Sequence, residues 1–328
     1  MRYIIYGAGA IGGVIGGRLH AAGHHVVLIA RGDNLEALQA NGLRLRSRDH
    51  DRVYPITAVS RPAEAEIQAD DVVLLGMKTQ DTAAALEELS ACAPSTTPIF
   101  CAQNGVENER LASRLFAEVN AMYVFIFAAS LVPGRVQCYT EPSGGVCDIG
   151  TFPRGLSPVA ATVAEHFVGA GFDTRADDNI MRWKYGKLLG NLANALQALV
   201  DDLTGLGDVY EGLRAEAETC YDAAGIDYVP WADQEARFGA VMPLALIDGK
   251  PFPGGSSWQS LTRGSPRLET DYLNGEITLL GKLTGVPTPL NALMQRLMRS
   301  HVSVGGRAGG IAAEQLRALT ETATVGLR

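Results

Sequence analysis

Near the start of the chain, Gly7-Ala8-Gly9-Ala10-Ile11-Gly12 forms a Gly-x-Gly-x-x-Gly run between two apolar stretches. This spacing suits a dinucleotide. The first glycine permits a tight turn, the second lets backbone approach a pyrophosphate, and the third lets a helix pack closely on a strand. The phosphates sit at the positive helix N-terminus, where free N–H groups such as those of Ala10 and Ile11 are available. A chain with 37 glycines produces such spacings readily. What carries the assignment is context, because the run follows a strand and opens a helix. Roughly twenty residues on, NAD-binding chains place an acid for the ribose hydroxyls. Here the strand Val26–Ala30 ends in Arg31 instead, and nearby Asp33 reads as a helix cap. A guanidinium pairs bidentately with a 2′-phosphate, so NADPH is the expected cofactor.

Other candidates follow apolar runs. Lys78 succeeds Val72–Met77, and Asn104-Gly105 succeeds Ile99–Gln103, which puts both at strand carboxyl ends, where open α/β sheets bind ligands. In the second half, Lys187, Asn191 and Asn194 stand at i, i+4 and i+7 and share one face of an expected helix. Their surroundings are Leu, Ala and Gly. A lysine flanked by amides there favours an anionic or carbonyl-bearing ligand, against the alternative of a solvated polar stripe. Further on, Gly254–Gln259 reads as a polar loop containing Ser257. Glu269 and Asp271 fall in the first turns of the next helix, where the helix dipole alone would explain acids.

These residues need elements to hold them. Residues 2–6, 26–30, 71–77, 98–103 and 122–128 read as strands, and 10–22 and 81–89 as helices. Asp33 with Glu36 reads as a capping box opening a short helix that Gly42 ends. Such alternation predicts an α/β protein with a Rossmann-type, doubly wound parallel sheet. Residues 134–150 read as an antiparallel edge extension. From about residue 180 helices dominate, at 180–200, 208–224, 231–243, 267–284 and 288–298. The expected division is therefore an NADP-binding domain at 1–177 and an all-helical substrate-binding domain at 178–328.

At this point the ordered set resembles the ketopantoate reductase (2-dehydropantoate 2-reductase) family over nearly the whole chain. The set is the glycine run, Arg31, Met77-Lys78, Gln103-Asn104-Gly105, Lys187 with Asn191, Ser256-Ser257 and Glu269 to Gly275. The resemblance implies hydride delivery from NADPH to the C2 ketone of ketopantoate, a step of pantothenate biosynthesis. It makes Lys187 the general acid and places Asn104, Asn191 and Ser257 on substrate oxygens, with Glu269 binding the hydroxyl end. Asn194, one residue short of the family's second asparagine, is expected at the substrate because it shares the face of Lys187 and Asn191. The resemblance also makes Gly7, Gly9, Gly12, Arg31, Lys78 and Asn104 the expected cofactor site. A lysine in a partly desolvated cleft exchanges a proton near neutrality, and as an ammonium it stabilises a developing alkoxide.

Three departures line the expected substrate pocket. Ala195 stands where the family has an asparagine, Trp258-Gln259-Ser260 follows the serine pair, and Val200–Leu203 replaces an asparagine-containing stretch. They keep open a paralogous NADPH-dependent reductase of another 2-oxo acid or ketone. A non-catalytic NADP(H)-binding sensor is a further alternative, disfavoured by the intact lysine–amide face. A β-hydroxyacid dehydrogenase lacks support, since its glycine-rich substrate motif is not evident after residue 100.

Composition narrows the classes further. With 328 residues, 47% hydrophobic and 20% charged, the chain suits two folded domains. A net charge of −8 offers no basic stripe for nucleic acid. Five scattered cysteines suit a reducing cytosol, and neither they nor the histidines show metal spacing, so no metal is expected. No leader and no membrane span is read, giving a soluble, cytoplasmic expectation. The apolar stretches of the second domain fit either a homodimer interface or that domain's own core.

Overall fold

The computed structural model describes residues 1–140, 142–239, 244–264 and 268–324. In the first half, β1 (Arg2–Tyr6), α1 (Ala10–Ala21), β2 (His25–Ile29) and α2 (Gly32–Asn41) are followed by β3 (Leu43–Arg46), β4 (Asp51–Tyr54) and β5 (Thr57–Val59). Then come β6 (Val72–Leu75), α3 (Thr82–Ser90), β7 (Ile99–Cys101), α4 (Asn108–Ala112) and β8 (Val119–Phe125). β9 (Ala128–Ala129), β10 (Arg135–Cys138), β11 (Val146–Thr151) and α5 (Pro158–Gly169) complete it.

The main sheet has the order β11-β8-β7-β6-β1-β2-β5 and is parallel except for β11 on β8. Its strands are apolar without alternation because both faces are covered, as in Val72-Val73-Leu74-Leu75. Tyr3 and Ile5 of β1 join the core under α1 and α5, whereas Ile4 and Tyr6 join the one under α3 and α4. The chain order reverses at β1, between β2 and β6. Open α/β sheets bind ligands at such a switch point.

The expected edge extension at 134–150, apart from residue 141 outside the described residues, divides. β11 is the antiparallel edge strand, but β10 enters a second sheet of order β4-β3-β10-β9 and pairs parallel with β3. Glycines let α1 lie between the two sheets. A Cβ on Gly16 would stand 2.9 Å from Leu28 of the main sheet, and one on Gly13 2.6 Å from Val136 of the second. The capping box at Asp33 is not formed. Arg31 takes the extended N-cap geometry (φ −135°, ψ 158°), so Asp33 already lies in the first turn and only complements the helix dipole.

The helical half comprises α6 (Ile180–Asn191), α7 (Ala193–Leu199), α8 (Gly207–Ala224), α9 (Trp231–Gly239), α10 (Ser256–Thr262), a 3-10 turn at Glu269–Tyr272, α11 (Asn274–Thr284), α12 (Pro289–Ser303) and α13 (Ala313–Thr324). The expected helix at 231–243 is described only as far as Gly239; residues 240–243, and residue 267 at the start of the helix expected at 267–284, lie outside the described residues. Two compact units emerge, Met1–Lys184 with Pro230–Pro253, and Tyr185–Val229 with Gly254–Arg328. The division thus falls after Lys184 rather than after residue 177, and 230–253 joins the first unit. Long-range contacts within that unit explain the second point. Arg237 of α9 donates to the Asp148 carboxylate at 2.8 Å and to Asp173 at 2.8 Å, and Phe238 stacks on Phe125 at 3.9 Å. Burial pushes the Asp148 carboxyl above its usual range, with Arg237 opposing.

Below the sheet, His24 and His166 lie ring to ring at 4.3 Å, and the Tyr3 hydroxyl contacts His166 Nδ1 at 2.6 Å. Burial lowers both imidazole pKa values from 6.5, and for His24 the neighbouring His166 adds to it. The folded state therefore binds fewer protons than the unfolded chain just below pH 6.5, so this contribution is complete above that pH and is lost as pH falls. We expect His24→Phe to flatten the decline in Tm between pH 7.5 and 5.5, measured by thermal scans. An unchanged slope would mean that other groups cause the decline.

Candidate active site

In the first unit, the carboxyl ends of β1, β6 and β7 carry three loops. At the first, the N–H groups of Gly7 and Ala8 donate to the Ile29 carbonyl at 3.0 and 3.2 Å. Gly7 has φ +102°, and a Cβ there would stand 2.4 Å from the Met77 nitrogen; one on Gly12 would stand 2.2 Å from the Gly7 oxygen. Only glycine fits either place. Gly9, by contrast, faces open space, with nothing within 4 Å of a built Cβ. It is the N-cap of α1, and neither a capping side chain nor an acid occupies the first turn at Ala10, Ile11 and Gly12. An open glycine before an uncapped helix N-terminus fits a nucleotide pyrophosphate.

Lys78 ends the loop after β6, and Asn104 lies within the loop after β7. A buried polar cluster joins those two loops. Asn108 Nδ2 donates to Thr79 Oγ1 at 3.2 Å and to the Asn104 carbonyl at 3.1 Å, Thr82 Oγ1 donates to Asn108 Oδ1 at 2.8 Å, and Gln103 Nε2 donates to Thr82 Oγ1 at 3.0 Å. None of Thr79, Thr82 and Asn108 stood out in the sequence, where the sole signal is two threonines just after Lys78. Lys184 was also missed. Its ammonium donates to Glu109 Oε1 and, at 3.1 Å, to the Gln103 carbonyl. Beside this pair the Cys101 thiol is pushed well up by burial and by Glu109. Arg31 follows β2 as expected, and its guanidinium contacts Glu88 of α3 at 3.2 Å.

The second unit holds the other candidates. Lys187 and Asn191 share α6, but the expected helix 180–200 is interrupted at Leu192, so Asn194 stands in the first turn of α7. Leu192 retains helical dihedrals (φ −62°, ψ −26°), and Asn274 Nδ2 donates to its carbonyl at 3.4 Å. Ser257 lies in α10, not in a loop, because Gly255 takes the N-cap position and the helix starts at Ser256. That helix packs against α7. Glu269 is buried in the 3-10 turn that precedes α11, not in a continuous helix from 267. The turn and α11 both pack on α12. A polar line runs behind them: Asn274 Nδ2 donates to Asn291 Oδ1 at 3.1 Å, and Asn291 Nδ2 donates to Glu216 Oε2 at 2.8 Å. Glu216 also accepts from the N–H groups of Leu290 and Asn291, and burial raises its pKa against those bonds. Asp271 serves structure, accepting from Gln295 at 2.8 Å and Arg299 at 2.7 Å.

Among the described residues of the second unit, the buried oxygens without a hydrogen-bond partner include Asn191 Oδ1, Ser257 Oγ, Thr270 Oγ1 and Asn274 Oδ1. Buried polar atoms are ordinarily paired, so orphans mark strain or a ligand's place. Thr270 and Asn274 were not singled out as ligands from the sequence. Among the described residues, no group of His, Cys, Asp and Glu is arranged to hold a metal, and no helix is long and apolar enough to cross a membrane.

The family model "Ketopantoate reductase PanE/ApbA" matches residues 3–154, and its C-terminal counterpart matches residues 179–302. The 2-dehydropantoate 2-reductase of Pyrococcus horikoshii is 28% identical over 312 residues, covering 93% of this chain and 99% of the relative. A ketopantoate reductase structure from Ralstonia eutropha JMP134 superposes with TM-score 0.79 at 29% identity, over 93% of this chain and 99% of that one. The fold also matches D-mandelate dehydrogenase solved with NADH and anilino(oxo)acetate, with TM-score 0.78 at 22% identity and the same coverages. The family consists of oxidoreductases that act on CH–OH groups with pyridine nucleotides. This chain belongs to the ketopantoate reductase family.

Proposed function

We propose that this protein catalyses the NADPH-dependent reduction of the 2-keto group of ketopantoate to pantoate. The observation that carries this reading is the pair of orphan oxygens, Asn191 Oδ1 and Ser257 Oγ, in the unit that also contains Lys187. The carboxylate and keto oxygens of a keto acid accept from the Ser257 hydroxyl, and Asn191 Oδ1 accepts from a donor such as a substrate hydroxyl or the nicotinamide amide. The bound nucleotide supplies hydride to C2. Lys187, as an ammonium, polarises the keto oxygen, stabilises charge developing on it and donates the proton that completes the alcohol. Asn191, Asn194 and Ser257 orient the acid, Glu269 accepts from its hydroxyl end, and Asn104 holds the nicotinamide or the substrate. Gly7, Gly9, Ala10, Ile11 and Gly12 receive the pyrophosphate, while Arg31 and Lys78 hold the 2′-phosphate and ribose.

Ser257→Ala tests this directly. Ser257 is only 2% exposed and its hydroxyl has no protein partner, so removing that hydroxyl should leave Tm unchanged. A lost bond to a substrate oxygen should raise KM for ketopantoate about tenfold. Unchanged KM would remove Ser257 from the substrate site.

A second reading, reduction of a bulkier 2-oxo acid, is favoured by Trp258. Trp258 follows Ser257 in α10, and a Cβ on Gly254 would be only 3.0 Å from its ring. D-mandelate dehydrogenase, of the same fold, was solved with an aromatic oxo acid.

A further inference from the structure

The carboxyl edge of β1 and β2 carries both kinds of group that read an adenosine ribose. Tyr6 and Ile29 pair as the last residues of their strands, and Arg31 follows two positions on. From α3, Glu88 reaches the same place. The Tyr6 hydroxyl donates to Glu88 Oε2 at 2.6 Å, and Arg31 Nη2 donates to that oxygen at 3.2 Å and to the Tyr6 oxygen at 3.4 Å. In doubly wound nucleotide sites an acid at the end of the second strand takes the ribose hydroxyls, and an arginine takes a 2′-phosphate. Here β2 is followed by the arginine, and the acid comes from α3.

Building on Arg31 as the 2′-phosphate ligand, we propose that Glu88 sets the cofactor preference of this protein by restraining its selectivity for NADPH over NADH. The Arg31 and Glu88 side chains are 61% and 51% exposed, so their ion pair is weak and yields to a phosphate. Glu88 itself does not leave, because Tyr6, a buried residue, tethers it. Its carboxylate then faces the 2′-phosphate as a like charge, whereas an unphosphorylated ribose offers it hydroxyl donors. Glu88 thus lowers affinity for the phosphorylated nucleotide and supports the other.

Equilibrium titration with 2′,5′-ADP and 5′-ADP, which carry only the adenosine end, reads this without turnover. Wild type, Glu88→Gln and Arg31→Ala are compared at low salt. Removing one like charge at an exposed site should tighten 2′,5′-ADP about fivefold in Glu88→Gln and leave 5′-ADP unchanged or weaker. The gain should shrink as ionic strength rises. Arg31→Ala should weaken 2′,5′-ADP and not 5′-ADP. If Arg31→Ala does so but Glu88→Gln leaves the ratio of the two affinities unaltered, the role of Glu88 is overturned and that of Arg31 stands. If Arg31→Ala has no effect on 2′,5′-ADP, the 2′-phosphate assignment fails and the Glu88 proposal falls with it.

Discussion

Lys187→Ala is expected to lower kcat for ketopantoate by about 10²- to 10⁴-fold, the usual contribution of a positioned general acid. The residue sits one turn before Asn191 on α6, in a stretch whose remaining neighbours, Leu188 and Leu189, are buried. Alanine preserves the helix, since it is the best helix former. Every residue proposed for the nucleotide, Asn104 included, belongs to the first unit, whereas Lys187 belongs to the second, so NADPH binding should be retained. Steady-state kinetics beside nucleotide titration separates the two effects. Lost turnover with intact nucleotide binding is expected, and near-normal kcat would remove Lys187 from the chemistry.

The second large effect concerns stability. Lys184 is 3% exposed and Glu109 0%, and they form an ion pair inside the first unit. Glu109 Oε2 has no further partner. Lys184→Met would leave that carboxylate buried with no cation, and breaking a buried pair in this way costs about 3–5 kcal/mol. Replacing both partners by apolar residues is far less costly. Lys184→Met should therefore lower the urea midpoint sharply, and Lys184→Met with Glu109→Leu should recover part of the loss. The recovery stays partial because Lys184 also serves the Gln103 carbonyl. A single variant as stable as wild type would show that the pair contributes nothing.

Much of the nucleotide-binding half was legible because its signals are local. The glycine run, the unbroken apolar strands and the arginine after β2 each fall within a few residues, and the structure sets them at one edge of a parallel sheet. Strands β3 and β4 escaped notice, although Leu43-Arg44-Leu45-Arg46 alternates with its leucines buried, because four residues make a weak pattern. Helix α5 was missed although Ser157 caps it, accepting from the Ala160 N–H, and proline follows at its first position.

The misplaced features are nonlocal. Arg237 finds Asp148 across 89 residues and Lys184 finds Glu109 across 75, so neither the return of 230–253 to the first unit nor the second buried pair is written in any window of sequence. The break at Leu192 depends on Asn274, from a later helix. Among the candidate site residues, types and order were readable from the resemblance. What the sequence could not supply was which polar atoms the protein leaves unpaired, since that requires every neighbour to be in place.

The most direct test compares kcat/KM for ketopantoate with values for 2-oxo acids bearing smaller, larger and aromatic substituents, all with NADPH. The expected result is the highest value for ketopantoate. Ketopantoate left unreduced while an aromatic 2-oxo acid is turned over would contradict the proposed substrate and make Trp258 the first residue to replace.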